Sequence, residues 1–541
     1  MLSKQATTTH SEQQQPPQRG SKRLLLAMAL LLPPLLWLGS ARGPETVGFL
    51  AAGLGGLGRS RPADSDWTRP LAQSWPAQNP WSEALEDEYS RFVERLAQAV
   101  AQRRCRRLDV CLRDPESNLL YDAAVDAKLD LDVDCGDLPY VLRAYFAFKR
   151  KLPFGFVCDL RGEGPDQRYL SGVTPGRLCL WTAYGTPRSV LRELVHEVHS
   201  GMFRMAPEVE NSDWYPIAIN RRALRPGIVY YDPNGHVLTV GEVRADGSVF
   251  LIDGHPDGSL TWKRFGQAFA LGGRAQGGGF KGFRPQRWEA QGDTFRLLRA
   301  SNRELPHFDG RSQWDKDLRG DGDKRGSYHQ WVRQSLAQPA VTVDAVADFR
   351  EQIRSLCRDL QERVEAVQAA VAAGLPRRAH PGELPSNIYG ATGDWEIYAS
   401  PSRDARLKAA FRELHESLTL LPNDSPLRPL LRAAFREESA QPLCQVSYRS
   451  SAGATVNLTL DTIIERLFRL SFDPYHCPEL RWGAPPGSSE AASCPDDAHK
   501  RELYLQEQRL RNRIEREYGA PTPLRDGPET PPDIDLRPHL Q

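Results

Sequence analysis

PGIVYYDPNGHVLTVGEVRADGSVFLID, residues 226–253, is the most readable β segment of the chain. Pro226-Gly227 opens it, and residues 228–231 are β-branched or aromatic, the side chains that fit a pleated surface. Asp232-Pro233-Asn234-Gly235 reads as a turn, 236–243 as a second strand, Asp246-Gly247 as a reversal and 248–253 as the return. A three-strand antiparallel meander follows. Side chains alternate along a strand, so a two-residue turn at Asp246-Gly247 puts Asp253, His255 and Asp257 on the face that carries His236. Strict register sets Asp257 opposite His236 and His255 on the diagonal. Asp253 reaches the imidazole only across a bulge or a wider loop. Asp253 is still the preferred partner, because it ends the apolar run 249–252, where a carboxylate is costly without one.

Upstream, Asp134-Cys135-Gly136-Asp137-Leu138-Pro139 begins a helix whose one face carries Leu138, Val141, Leu142, Tyr145 and Phe148. A thiol in a helix's first turn feels the partial positive charge of unpaired N–H groups, and the same groups can hold an oxyanion. Cys135 is therefore the candidate nucleophile and His236 the base that takes its proton. Asp253 is the orienting third member, with His255 as the alternative. Tyr121, upstream of the thiol, is a candidate oxyanion donor. Burial or cross-linking of Cys135 is the competing structural reading.

At these residues the chain resembles the papain-like superfamily of cell-wall cysteine hydrolases, the NlpC-type peptidases and CHAP domains. In that superfamily a cysteine opens a helix, a Gly-His pair starts a strand after a Pro-Gly entry, and a polar residue on the next strand completes the site. The resemblance spans residues 119–262 and departs from the commoner pattern in Asp137, Pro139 and the long Cys-to-His gap. It implies an α+β papain-like fold with an antiparallel sheet and N-terminal helices. It also implies hydrolysis of an amide in a peptide or peptidoglycan-type substrate, with no cofactor. A transglutaminase-like acyl transfer and a catalytically silent envelope scaffold are the rival readings.

Further helices are expected at 82–104, where Leu85, Tyr89, Phe92, Leu96 and Val100 recur at helical steps, and at 189–205. Short strands are expected at 154–160 and 177–182. Six of the eleven residues 272–282 are glycine, which reads as a flexible loop. Beyond 340 the character changes to amphipathic helices at 346–371, 403–421, 426–438 and 497–518. The expected organisation is a signal peptide or N-terminal anchor (1–43), a linker (44–81), the hydrolase-like domain (82–335), a mainly helical domain (340–518) and a disordered tail (519–541).

Across 541 residues, 70 Lys and Arg stand against 69 Asp and Glu, so no overall field recruits nucleic acid. Basic residues precede an apolar run at 24–38 followed by small residues, the pattern of an export signal or of a membrane tether. Nine cysteines in an exported chain invite pairing. Cys105 with Cys111, Cys158 with Cys179 and Cys477 with Cys494 are local candidates, Cys357 and Cys444 remain for each other, and Cys135 is left free. His196 and His199 are three apart, one short of the zincin spacing, so no metal site is expected. Asp315, Asp317, Asp321 and Asp323 lack the spacing of a calcium loop.

Overall fold

The computed structural model describes residues 74–315, 317, 327–385, 389, 391–398, 401–511 and 536–540. The N-terminal apolar run, the linker to residue 73, Asp321 and Asp323, and most of the tail lie outside them. The protein is a mixed α and β structure with antiparallel sheets, and the described residues belong to one compact unit.

Helix α1 spans Glu83–Ala101, with the Ser82 side chain accepting from Leu85 N–H and two glutamates in its first turn. It buries Tyr89, Phe92, Val93 and Leu96. Helix α2, Asp137–Arg150, is buried over most of its length and ends at a left-handed Lys151. Helix α3 covers Pro187–Glu197 and stops well short of residue 205: Val198 turns extended, and a 3-10 turn at Ser200–Phe203 follows.

The central sheet is built from β1 (Trp214–Pro216), β2 (Val229–Asp232), β3 (His236–Val243), β4 (Val249–Gly254), β5 (Leu260–Arg264) and β6 (Gly279–Phe283), in the antiparallel order β1-β6-β2-β3-β4-β5. The expected meander is its β2-β3-β4 half. Strand β6 corrects the reading of 272–282 as a flexible loop, for part of that glycine-rich stretch is an interior strand paired to β1 and β2. The Gln313 side chain pins it, bonding Phe280 N–H at 2.8 Å, Phe280 carbonyl at 2.9 Å and Ile217 carbonyl at 3.0 Å. Pairing on both edges overrides the low strand preference of glycine. Tyr328 is buried and bonds Gln313 Oε1, Trp331 is half-buried against the same core, and Trp288 is exposed.

Helix α4 (Ser327–Leu336) leads to the helical region: α5 (Ala345–Ala372), α6 (Pro401–Thr419), α7 (Leu427–Ser439) and α8 (Ala498–Arg511). Phe349, Ile353, Leu360, Phe411, Leu414 and Phe435 form its core, separate from the core under the sheet. Ion pairs join the two regions: Lys263 of β5 reaches Asp359 at 2.7 Å, and Arg264 reaches Glu413 at 2.7 Å. Residues 536–540, expected to be disordered, pack on this core. Leu536 is fully buried, and Arg432 donates to the His539 carbonyl at 2.9 Å. At the other end Trp75 is buried and its indole N–H donates to Leu152 carbonyl at 2.8 Å.

Disulfides join Cys105 to Cys111, Cys158 to Cys179, Cys357 to Cys444 and Cys477 to Cys494, and Cys135 is free. Four bridges fit an extracellular location. Among the described residues no helix is long and apolar enough to cross a membrane.

Candidate functional site

Cys135 stands one residue before the N-cap of α2, partly buried, and its thiol points to the Gly235 carbonyl oxygen 3.9 Å away. The thiol was expected to feel unpaired amides in the first turn of the helix, and the structure corrects this. The Asp134 carboxylate accepts from Gly136 N–H at 2.7 Å and Asp137 N–H at 3.0 Å, so the first free amides of the helix are already taken. Asp137 reciprocates by accepting from Asp134 N–H at 3.1 Å. Burial and the adjacent Asp134 charge push the Asp137 carboxyl well up. Burial first, then the Asp134 charge, push the Cys135 thiol well above its ordinary range, against a hydrogen bond from Val237 N–H. The resting group is a thiol. Its own backbone N–H has no partner among the described residues.

Two local devices deliver His236. Gly235 holds φ at +80°, and a Cβ there would lie 2.5 Å from the Tyr169 hydroxyl, so this turn requires glycine. Asp232 and His236 are then cross-strand partners in the β2–β3 hairpin. The β3–β4 hairpin differs from the two-residue turn read from sequence. Arg244 N–H bonds Ser248 carbonyl at 2.9 Å, giving a three-residue loop with Gly247 at φ +83°. A bulge at Gly241 then shifts the register again between Val240 and Glu242. Thr239 faces Ile252 as a result, and Asp253 becomes the diagonal neighbour of His236.

His236 Nε2 lies 2.8 Å from Asp253 Oδ2. Burial raises the Asp253 pKa, but the charge of His255 and the bond to His236 outweigh it and hold the carboxyl well below its usual range. An ionised carboxylate only accepts, so Nε2 carries the hydrogen and Nδ1 is the bare acceptor of the neutral ring. Burial, then the Arg406 cation, push His236 below the ordinary histidine range despite Asp253, and the ring is neutral at pH 7. His255, the alternative third member, stands behind Asp253 instead: its Nε2 is 3.5 Å from Asp253 Oδ1 and 3.0 Å from Thr261 Oγ1. Burial pushes it down to about 4. Thr261 donates to Asp253 Oδ1 and is its cross-strand partner on β5.

The structure does not bring every candidate together. Asp257 caps the β4–β5 turn through Ser259 N–H at 2.9 Å, because bulge and loop moved the register past it. Tyr121 sits in a turn with its N–H on Asn118 carbonyl. His196 is 82% exposed on α3, while His199, beyond the helix end, accepts from Gly201 N–H. Among the described residues, one group of three close ligand-type side chains is found, Cys477, Cys494 and Asp496, and its two sulfurs form a disulfide.

Sequence reading missed four contributors. Asp134 was legible as a carboxylate ahead of a helix start, and Thr261 by strand alternation. Phe269, whose ring stands 6.4 Å from that of His236, and Arg406 of α6 gave no local signal. A cavity of about 80 Å³ lies behind His236, Asp253 and His255 and reaches α5 and α6, with Arg403 and Glu362 in its wall; Cys135 does not line it. Glu396 of the helical region, whose charge also raises the Cys135 thiol, pairs with Arg168 at 3.2 Å.

No protein-family model, curated protein or solved structure matches the chain.

Proposed function

We propose that the protein is an exported thiol hydrolase of papain-like type that cleaves an amide bond, with Cys135 as nucleophile, His236 as base and Asp253 as the orienting carboxylate. One observation carries this reading. A free thiol rests against the Gly235–Val237 backbone, and the imidazole of that same segment is held by a buried carboxylate through Nε2, which leaves Nδ1 to accept.

His236 Nδ1 takes the thiol proton as sulfur attacks the substrate carbonyl, and the free N–H of Cys135 faces the developing oxyanion. Collapse breaks the C–N bond, the imidazolium returns its proton to the leaving amine, and an acyl-enzyme remains. Water, deprotonated by the same nitrogen, hydrolyses the thioester and restores the thiol. With a protonated thiol and a neutral ring at rest, proton transfer accompanies attack; no standing ion pair is needed. The substrate class is a cell-wall peptide, following the resemblance at 119–262.

Alkylation of Cys135 by iodoacetamide in the non-reduced protein, alongside cleavage of peptidoglycan stem peptides, tests the reading. His236→Ala is expected to lower both rates, cleavage by about 10²–10⁴-fold. Labelling that is equal in His236→Ala and the unaltered protein refutes the base assignment. Labelling that depends on His236 with the acyl group passed to an added amine instead of water points to acyl transfer.

A further inference from the structure

We propose that Arg406, on α6 of the helical region, is a positioning residue for His236: it ties the Asp232 turn and the Phe269 ring into the wall against which the imidazole stands. This rests on the reading of His236 as the base.

Arg406 Nη2 lies 3.3 Å from Asp232 Oδ2. The other oxygen of that carboxylate accepts from Asn234 N–H at 2.9 Å, inside the turn that leads to Gly235 and His236. Asp232 is only 1% exposed and is the cross-strand partner of His236. A single carboxylate therefore couples α6 to the turn that places both the Gly235 carbonyl beside the thiol and the imidazole. The second tie is aromatic. The Arg406 guanidinium carbon is 5.9 Å from the Phe269 ring centroid, and that ring lies within 16° of parallel to His236. Guanidinium, phenyl and imidazole thus form one assembly drawn from α6, the loop after β5, and β3.

The charged neighbours of the imidazole fix the expected sign. Asp232 comes from β2, Asp253 from β4 and His255 from just beyond it. Lys263 of β5, Glu362 of α5 and Arg403 of α6 line the cavity behind, and the Cys135 thiol, outside that cavity, stands against the Gly235 carbonyl. Lys263 is matched by Asp359 and Glu362. Arg406 is the cation that directly opposes protonation of His236.

Ring-proton NMR titration of His236 in the full chain tests this without requiring turnover, with His255 as the internal control. Arg406→Gln is expected to move the His236 midpoint to higher pH and the acid limb of Cys135 alkylation with it, and Arg406→Lys to restore most of the original midpoint. Should the glutamine variant unfold, Arg406→Met, closer in volume and apolar along the same path, takes its place. An unchanged His236 midpoint in a folded variant overturns the proposal, and so does unfolding of both variants, which makes Arg406 a general structural residue. A Cys135 that stays inert in the unaltered protein defeats the hydrolase reading alone, since the titration still reports on Arg406.

Discussion

Two clusters of histidine and carboxylate occupy opposite halves of this molecule, and they differ in what is offered to the second ring nitrogen. His236 gives Nε2 to Asp253, which leaves Nδ1 as the acceptor, while burial and Arg406 keep the ring neutral. His476, in the helical region, has carboxylates at both nitrogens: Asp496 is 2.9 Å from Nδ1, and Glu507 and Asp473 are 3.6 and 3.9 Å from Nε2. Burial opposes its charge, but these three carboxylates win and raise its pKa. Asp473 also binds His380 at 2.7 Å, and the nearby Ser471 hydroxyl is committed to Glu507 at 2.7 Å. A ring whose charged form its neighbours favour, and which is fully enclosed, is poorly placed to accept a proton. Histidine beside a carboxylate becomes a base only where one nitrogen is left open and the local charge favours the neutral form.

The largest effect that can break this contrast is on stability. Asp473→Asn removes the buried carboxylate shared by His380 and His476 and is expected to cost about 3–5 kcal/mol in urea unfolding, with Cys135 reactivity unchanged. A small loss there would mean that the helical cluster is not a structural ion network.

Next comes the pH dependence. The folded pKa of His255 is about 4 against an ordinary 6.5, so its contribution is complete above 6.5 and is lost as pH falls towards 4. The lost amount is about 3 kcal/mol. His255→Gln is expected to flatten that part of the stability curve, measured by denaturant midpoints across the range. His476 has the opposite sign: raised by its carboxylates, it stabilises at low pH and ceases to as pH rises through its folded value. Equal slopes in His255→Gln and the parent would remove the distinction between the two clusters.

The smallest expected effect is at Thr261. Thr261→Val removes the hydroxyl that donates to the ionised Asp253 and is expected to cost about 2 kcal/mol. It also loosens the carboxylate that orients His236, so the His236 NMR midpoint moves while the Asp473 cluster is untouched.

The legible parts of this molecule are those set by nearest neighbours in the chain. Helical spacing gave α1, α2, α5 and α6 within a few residues, turn chemistry gave β2 to β4, and short separations suggested three of the four disulfides. The rest depended on distant partners. Strand β6 looked like a loop because glycine says nothing of the two strands that flank it. Asp253 was chosen on burial cost with a bulge or wider loop as the condition, and the position of the bulge at Gly241, a glycine inside the strand pattern, went unread. The unpaired amides expected beside the thiol at the helix start are not free, because the Asp134 carboxylate accepts from them. Arg406 lies 170 residues from His236 in the chain, and no periodicity connects them.

The extra residue at Gly241 also limits how this hairpin can drift in related chains. Losing it would slide β3 by one position against β4 and exchange the two faces of everything upstream, turning His236 away from Asp253. Insertions and deletions between residues 236 and 253 therefore have to come in compensating pairs to keep the dyad. Spacing across this hairpin is a sharper mark of descent with the same chemistry than identity of its individual residues.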